Sequence, residues 1–197
     1  MHEAAHARIY GDIEYVLRLM GLRQSWRPTG ASTMSPVNPA DVSSREGDSG
    51  GAPHPLRTRP DAWPTLVIET AVSMSLEALR STGAWWLTAS RLQVKIVLLV
   101  KIDRQQKRIV LEKIAATGRG VFPLVRFPAI TIDMLPAPAA TPRAAARADP
   151  ESYTASGTLR LGFESLFLRS SNARESDVVL TRLMLRELAA LIWSLED

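Results

Sequence analysis

The chain has 197 residues, no cysteine, 46% apolar and 22% charged residues, and a formal net charge of +4. The apolar share supports a core of ordinary size, and the missing thiols exclude disulfides, thiolate zinc sites and cysteine nucleophiles. The basic charge is scattered rather than blocked, which permits a nucleic-acid partner without requiring one.

In chain order, residues 4–21 carry Ile9, Ile13, Val16, Leu17 and Met20 at spacings of three and four, which predicts an amphipathic helix ending at Gly21. Residues 27–62 are broken by Pro28, Pro36, Pro39, Pro53, Pro55 and Pro60 and by four glycines. They are expected to be largely irregular, with a short strand near 31–35 and an extended piece near Asp48. Leu66–Glu69 reads as a strand whose unalternating apolar run implies cover on both faces. Ser73 or Ser75 caps a helix over 75–89, with Leu76, Leu79, Gly83 and Trp86 on one face.

Val94–Ile102 and Arg108–Lys113 read as strands of a hairpin about the polar turn 103–107. A short strand is expected at Ile130–Met134, then an Ala/Pro/Arg-rich linker or loop at 136–150. Gly157–Leu161 reads as a strand and Phe163–Leu168 as a short helix or turn. Thr181 caps a last helix, 182–195, with Leu185, Leu188, Ala189, Ile192 and Leu195 inward. The sum is an α/β domain spanning 1–197. It has a mixed central sheet, the 75–89 helix beside the first helix, and the last helix closing an edge. No run reaches the ~18 apolar residues of a membrane span. No basic start precedes an apolar stretch, so an intracellular protein, cytoplasmic or nuclear, is expected.

Three constellations bear on chemistry. His2-Glu3-Ala4-Ala5-His6 matches the zinc-protease pattern, with both imidazoles on one helical face and Glu3 as general base. Ile9 stands where the extended pattern needs glycine, and Asp12 where some versions place a third ligand. Asp48 and Glu69 form the second: two carboxylates suffice for a hard cation such as Mg²⁺, which keeps several waters. Such a metal activates water and polarises a phosphoryl oxygen, and a nearby Lys or Arg offsets the developing charge. The third is a set of cations: Arg80, Lys95, Lys101, Arg104, Lys107, Arg108 and Lys113. Lys95 interrupts an apolar strand and should reach an acid, a site or water.

The run Trp63-Pro64-Thr65-Leu66-Val67-Ile68-Glu69, with Leu79-Arg80, Trp85-Trp86-Leu87 and Val94-Lys95-Ile96-Val97-Leu98-Leu99, resembles a family of uncharacterised fungal proteins. That family looks like a divergent branch of the PD-(D/E)XK, restriction-endonuclease-like nucleases. Met1-His2-Glu3-Ala4-Ala5, Arg45-Glu46-Gly47-Asp48-Ser49 and Phe163-Glu164-Ser165-Leu166-Phe167 agree in order, so the resemblance covers most of the chain. It implies a metal-dependent nuclease of nucleic-acid phosphodiesters, with Asp48 and Glu69 as motif acids and metal ligands. It also makes Glu3 an auxiliary metal ligand, with Mg²⁺ as cofactor.

The departures are specific. Ala71 stands where the motif Lys belongs, which leaves Arg80 or Lys95 as relocated candidates. Ser81-Thr82-Gly83-Ala84 lacks the family's acid before the Trp pair, and Gly50-Gly51 replaces bulkier residues. A degenerate nuclease, or a nucleic-acid- or protein-binding module that keeps the fold, is therefore the alternative, and a zinc protease is the third.

Overall fold

The computed structural model describes residues 1–30, 32–38, 40, 41, 43–59, 61–116, 124–136 and 142–196. Helix α1 (His2–Leu19) buries Ala5, Ile9, Ile13 and Leu17 along one stripe. It ends in a paired cap: Gly21 N–H donates to the Arg18 carbonyl and Leu22 N–H to the Leu17 carbonyl, both at 2.9 Å. Gly21 adopts φ +76°, a left-handed conformation open to glycine at little cost. The helix begins and ends two residues earlier than its apolar spacing suggests.

The stretch expected to be largely irregular supplies four short strands: β1 (Trp26–Pro28), β2 (Thr33–Met34), β3 (Arg45–Glu46) and β4 (Ser49–Pro53), of which β2 is the short strand expected near 31–35 and β4 the extended piece expected near Asp48. β2 and β3 pair apart from the main sheet, whereas β4 lies inside it. The prolines and glycines that argued against order here include two glycines that the packing requires. A Cβ on Gly51 would fall 2.3 Å from the Trp26 ring, and one on Gly50 would fall 2.7 Å from the Leu66 carbonyl oxygen. Large side chains are absent from β4 because its neighbours already fill that space.

The chain continues through β5 (Leu66–Ala71), α2 (Leu76–Ala89), β6 (Ile96–Asp103), β7 (Arg108–Ala116), β8 (Leu124–Arg126) and β9 (Ile130–Met134). Next come α3 (Arg143–Ala148), β10 (Tyr153–Ala155), β11 (Leu159–Leu161), α4 (Phe163–Phe167), β12 (Val178–Leu180) and α5 (Arg182–Ser194). The main sheet runs β1-β4-β5-β6-β7-β9-β10, with β8 also on β7. β5 and β6 are parallel, joined by α2, and the other pairs are antiparallel. The fold is thus the expected mixed α/β sheet flanked by helices.

The sheet is buried on both faces. Leu66, Ile68, Leu98 and Val100 pack with Ile9 and Ile13 of α1 and Leu188 and Ile192 of α5. Val67, Val97 and Leu99 point the other way, onto Leu79, Trp86 and Leu87 of α2. So α2 covers the face opposite α1 rather than lying beside it. α5 joins α1 in one layer instead of closing an edge. A strand that is apolar at every position needs cover on each side, and one layer of helices cannot supply both.

Two smaller expectations differ. Leu195 is 52% exposed, and Trp193 fills the buried position instead. The Ala/Pro/Arg-rich segment contains α3, because its alanines and arginines are strong helix formers once past Pro142; residues 137–141 of that segment lie outside the described residues. Ser75 is the cap of α2, accepting from Ala78 N–H, and Thr181 caps α5 by accepting from Met184 N–H. Among the described residues no helix is long and apolar enough to cross a membrane.

Candidate nuclease-like site

β5 carries Glu69 toward the α2 layer, with the parity of Val67 and Ala71. β4 runs antiparallel to it, with Ser49 opposite Ile68 and Gly50 opposite Val67. Asp48 is the bend residue just before Ser49, which brings it to the Glu69–Thr70 end of β5. Asp48 is held there by the end of β5: its Oδ2 accepts the Thr70 N–H at 2.6 Å and lies 3.2 Å from His2 Nε2. Glu69 is 9% exposed, and its Oε1 accepts the indole N–H of Trp86 at 2.5 Å.

Burial raises the Glu69 carboxyl to about 7, and the neighbouring Asp48 charge adds to the rise. The Trp86 N–H, Arg45 and His2 pull the other way. A cation bound here would relieve both causes of the rise. Beside the pair, the Thr70 hydroxyl is buried without a protein partner. Two carboxylates of this kind suit a hard divalent ion such as Mg²⁺, which prefers oxygen ligands and retains waters.

The other expected residues are placed elsewhere. Arg80 is on α2, but its guanidinium clasps Glu112 of β7 at 2.8 and 2.5 Å. Glu112 is opposite Leu99, which is itself opposite Glu69, so Arg80 serves an acid two strands away. Lys95 precedes β6 and donates to the Leu92 carbonyl at 2.7 Å. It lies four residues before Leu99, roughly 13 Å along the strand from the Glu69 row. Glu3 is drawn to the two histidines of its own helix: Oε1 is 3.2 Å from His2 Nδ1 and Oε2 3.0 Å from His6 Nε2. Among the described residues the group of three such side chains with ligand atoms within 4.8 Å is His2, Glu3 and His6, not Glu3 with Asp48 and Glu69. Asp12 is occupied by Arg8 at 3.0 Å.

A cation not singled out from the sequence, Lys101, lies in the neighbouring row. It pairs with Ala71 across the parallel β5–β6 ladder and shares the parity of Leu99, on the face of Glu69. Its ammonium donates to the Val72 carbonyl. The sequence shows Lys101 only as one of several scattered cations, because the register of two parallel strands is not written in either strand alone.

No protein-family model matches the chain, and no curated protein does. Among solved structures it is similar to the crystal structure of "a putative nuclease belonging to DUF820" from Anabaena variabilis. The two are 13% identical, with 70% of this chain and 72% of that one covered and a TM-score of 0.43. At that level of likeness the roles of individual side chains rest on this chain alone.

Proposed function

We propose that the protein is a nuclease-like domain of the PD-(D/E)XK kind. Asp48 and Glu69 hold a divalent metal, Mg²⁺ for preference, at a nucleic-acid phosphodiester. The observation that carries this reading is the approach of two carboxylates where β4 begins beside the end of β5: Asp48 is held by the N–H of Thr70, the residue after Glu69, and Glu69 is buried and raised to about 7 with the Asp48 charge contributing. When bound, such a metal supplies an activated water and polarises a phosphoryl oxygen. Asp48, fixed by the Thr70 N–H, and Glu69, fixed by the Trp86 N–H, orient the ion. Lys101, in the row of Ala71, takes the part expected of Arg80 or Lys95 by offsetting negative charge on the phosphate.

The test is cleavage of single- and double-stranded DNA and RNA with Mg²⁺ or Mn²⁺. Glu69→Ala should abolish cleavage, and Lys101→Met should lower it by about 10²–10³-fold, as loss of one electrostatic donor does elsewhere. Equal activity in wild type and Glu69→Ala, or none in either, defeats the catalytic reading.

A second reading is a binding module that keeps the fold without the chemistry. It is favoured by one observation: both cations expected beside the carboxylates are engaged elsewhere, Arg80 by Glu112 and Lys95 by the Leu92 carbonyl. Nucleic-acid affinity that falls with salt, with no cleavage, would support it. No binding at any salt concentration would point to a protein partner.

A further inference from the structure

We propose that His2, Glu3 and His6 form a second cation site, for a borderline divalent ion of the zinc class, distinct from the Asp48–Glu69 pair. Their ligand atoms lie within 4.8 Å of one another in the first turns of α1. His2 and His6 are four residues apart on one helical face, with ring centroids 5.4 Å apart.

The outward nitrogens of both rings are already engaged. His2 Nε2 is 2.9 Å from the Thr70 carbonyl, and His6 Nδ1 is 2.9 Å from the Ser49 hydroxyl. A carbonyl only accepts, so His2 Nε2 must carry a proton. In the neutral ring His2 Nδ1 is then a lone pair, and it faces the Glu3 carboxylate at 3.2 Å. Two acceptors that close need a positive charge between them. A proton on Nδ1 is one solution and a metal ion is the other.

The spacing suits the metal. Nitrogen and oxygen ligands bind Zn²⁺ tetrahedrally at ~2.0–2.2 Å, which puts neighbouring ligand atoms about 3.3 Å apart. Glu3 Oε1 lies 3.2 Å from His2 Nδ1 and Glu3 Oε2 3.0 Å from His6 Nε2, so the carboxylate bridges the two rings with one oxygen toward each, and the three residues offer ligand atoms within 4.8 Å of one another. Metal-bound imidazoles ordinarily donate their other N–H to a carbonyl, carboxylate or hydroxyl, which fixes the ring. Thr70 and Ser49 supply that support from β5 and β4, the strands that also carry Glu69 and follow Asp48. Glu3 is here a ligand rather than the general base of the zinc-protease pattern, since it contacts both histidines.

The experiment is calorimetric titration of the chelator-treated full chain with Zn²⁺, with Co²⁺ absorption as a spectroscopic report of nitrogen ligation. Wild type should bind one Zn²⁺ at micromolar concentrations, with tetrahedral Co²⁺ bands. Glu3→Gln and His2→Ala should each weaken binding at least about tenfold, and Ser49→Ala about ten- to hundredfold through loss of ring support. Glu3 is 87% exposed in its side chain, so Glu3→Gln tests the site without disturbing the core. Glu69→Ala should retain the nitrogen-ligated Co²⁺ bands, which report the histidine site alone. No Zn²⁺ isotherm in wild type would mean that a proton alone sits between His2 and Glu3. Equal binding by wild type, His2→Ala and Glu3→Gln would place the ion elsewhere. A loss in Glu69→Ala as large as in His2→Ala would merge the two sites. Each of these outcomes overturns the proposal.

Discussion

At the scale of single residues, Glu69 and Arg80 make opposite demands on their surroundings. The folded chain raises Glu69 to about 7, above its value in the unfolded chain, chiefly by burial. Between about pH 4.5 and 7 the native state holds a proton that the unfolded chain has released. This contribution to stability is fully present below that window and is lost as pH rises through 7. Glu69→Gln removes the ionisation. Relative to wild type it should be more stable at pH 8 than at pH 4, by on the order of 2 kcal/mol, in denaturant titrations at the two pH values. An unchanged difference would show that Glu69 is not raised by its site. Arg80 instead neutralises Glu112, whose side chain is 4% exposed. Arg80→Ala leaves that carboxylate buried and unpaired and should cost about 3 kcal/mol of stability. Combining Arg80→Met with Glu112→Leu should recover most of the loss. If Arg80→Ala left stability intact, the ion pair would not be the residue's role.

At the scale of elements, α1, α2, α5 and the central strands were legible because their side chains carry a period or an apolar run, whereas α3 lay in a segment read as a linker or loop. Ile9, Ile13 and Leu17 mark α1, and Val67, Ile68, Leu98 and Leu99 mark the parallel pair. β4 was not legible. Ser49-Gly50-Gly51-Ala52-Pro53 carries no period, and its place in the sheet is set by Trp26 and the Leu66 backbone filling the space above its glycines. The Asp48–Glu69 pairing could be suspected from residue types, but its register depends on β4 and was hidden with it. Two glycine substitutions separate these cases. Gly51→Ala drives a methyl into the Trp26 ring and should destabilise by ~1–3 kcal/mol. Gly11, on the exposed side of α1 with nothing within 4 Å of an added Cβ, should tolerate Ala with a gain of about 0.5–1 kcal/mol. Thermal or chemical unfolding of the two variants reads both signs. A neutral Gly51→Ala would mean that β4 does not depend on this close approach.

At the scale of the whole molecule, the helix layers bury nearly all of β5 and β6, and the polar side chains of these strands lie toward their ends. Glu69 and Ala71 near the end of β5, Asp48 at the entrance to β4 and Lys101 near the end of β6 gather at one end of the central strands. The first turn of α1 meets them through the contacts of His2 with Asp48 and Thr70. The net charge of +4 permits an anionic partner, and the proposed chemistry stands on whether the two carboxylates hold a metal. Calorimetric titration of Mg²⁺ or Mn²⁺ into wild type, Asp48→Asn and Glu69→Ala measures this most directly. Wild type should bind a hard divalent ion that each variant loses, with affinity rising as pH passes through 7 and the Glu69 proton leaves. Equal binding by all three proteins, or none by wild type at alkaline pH, would contradict a metal-holding pair at Asp48 and Glu69.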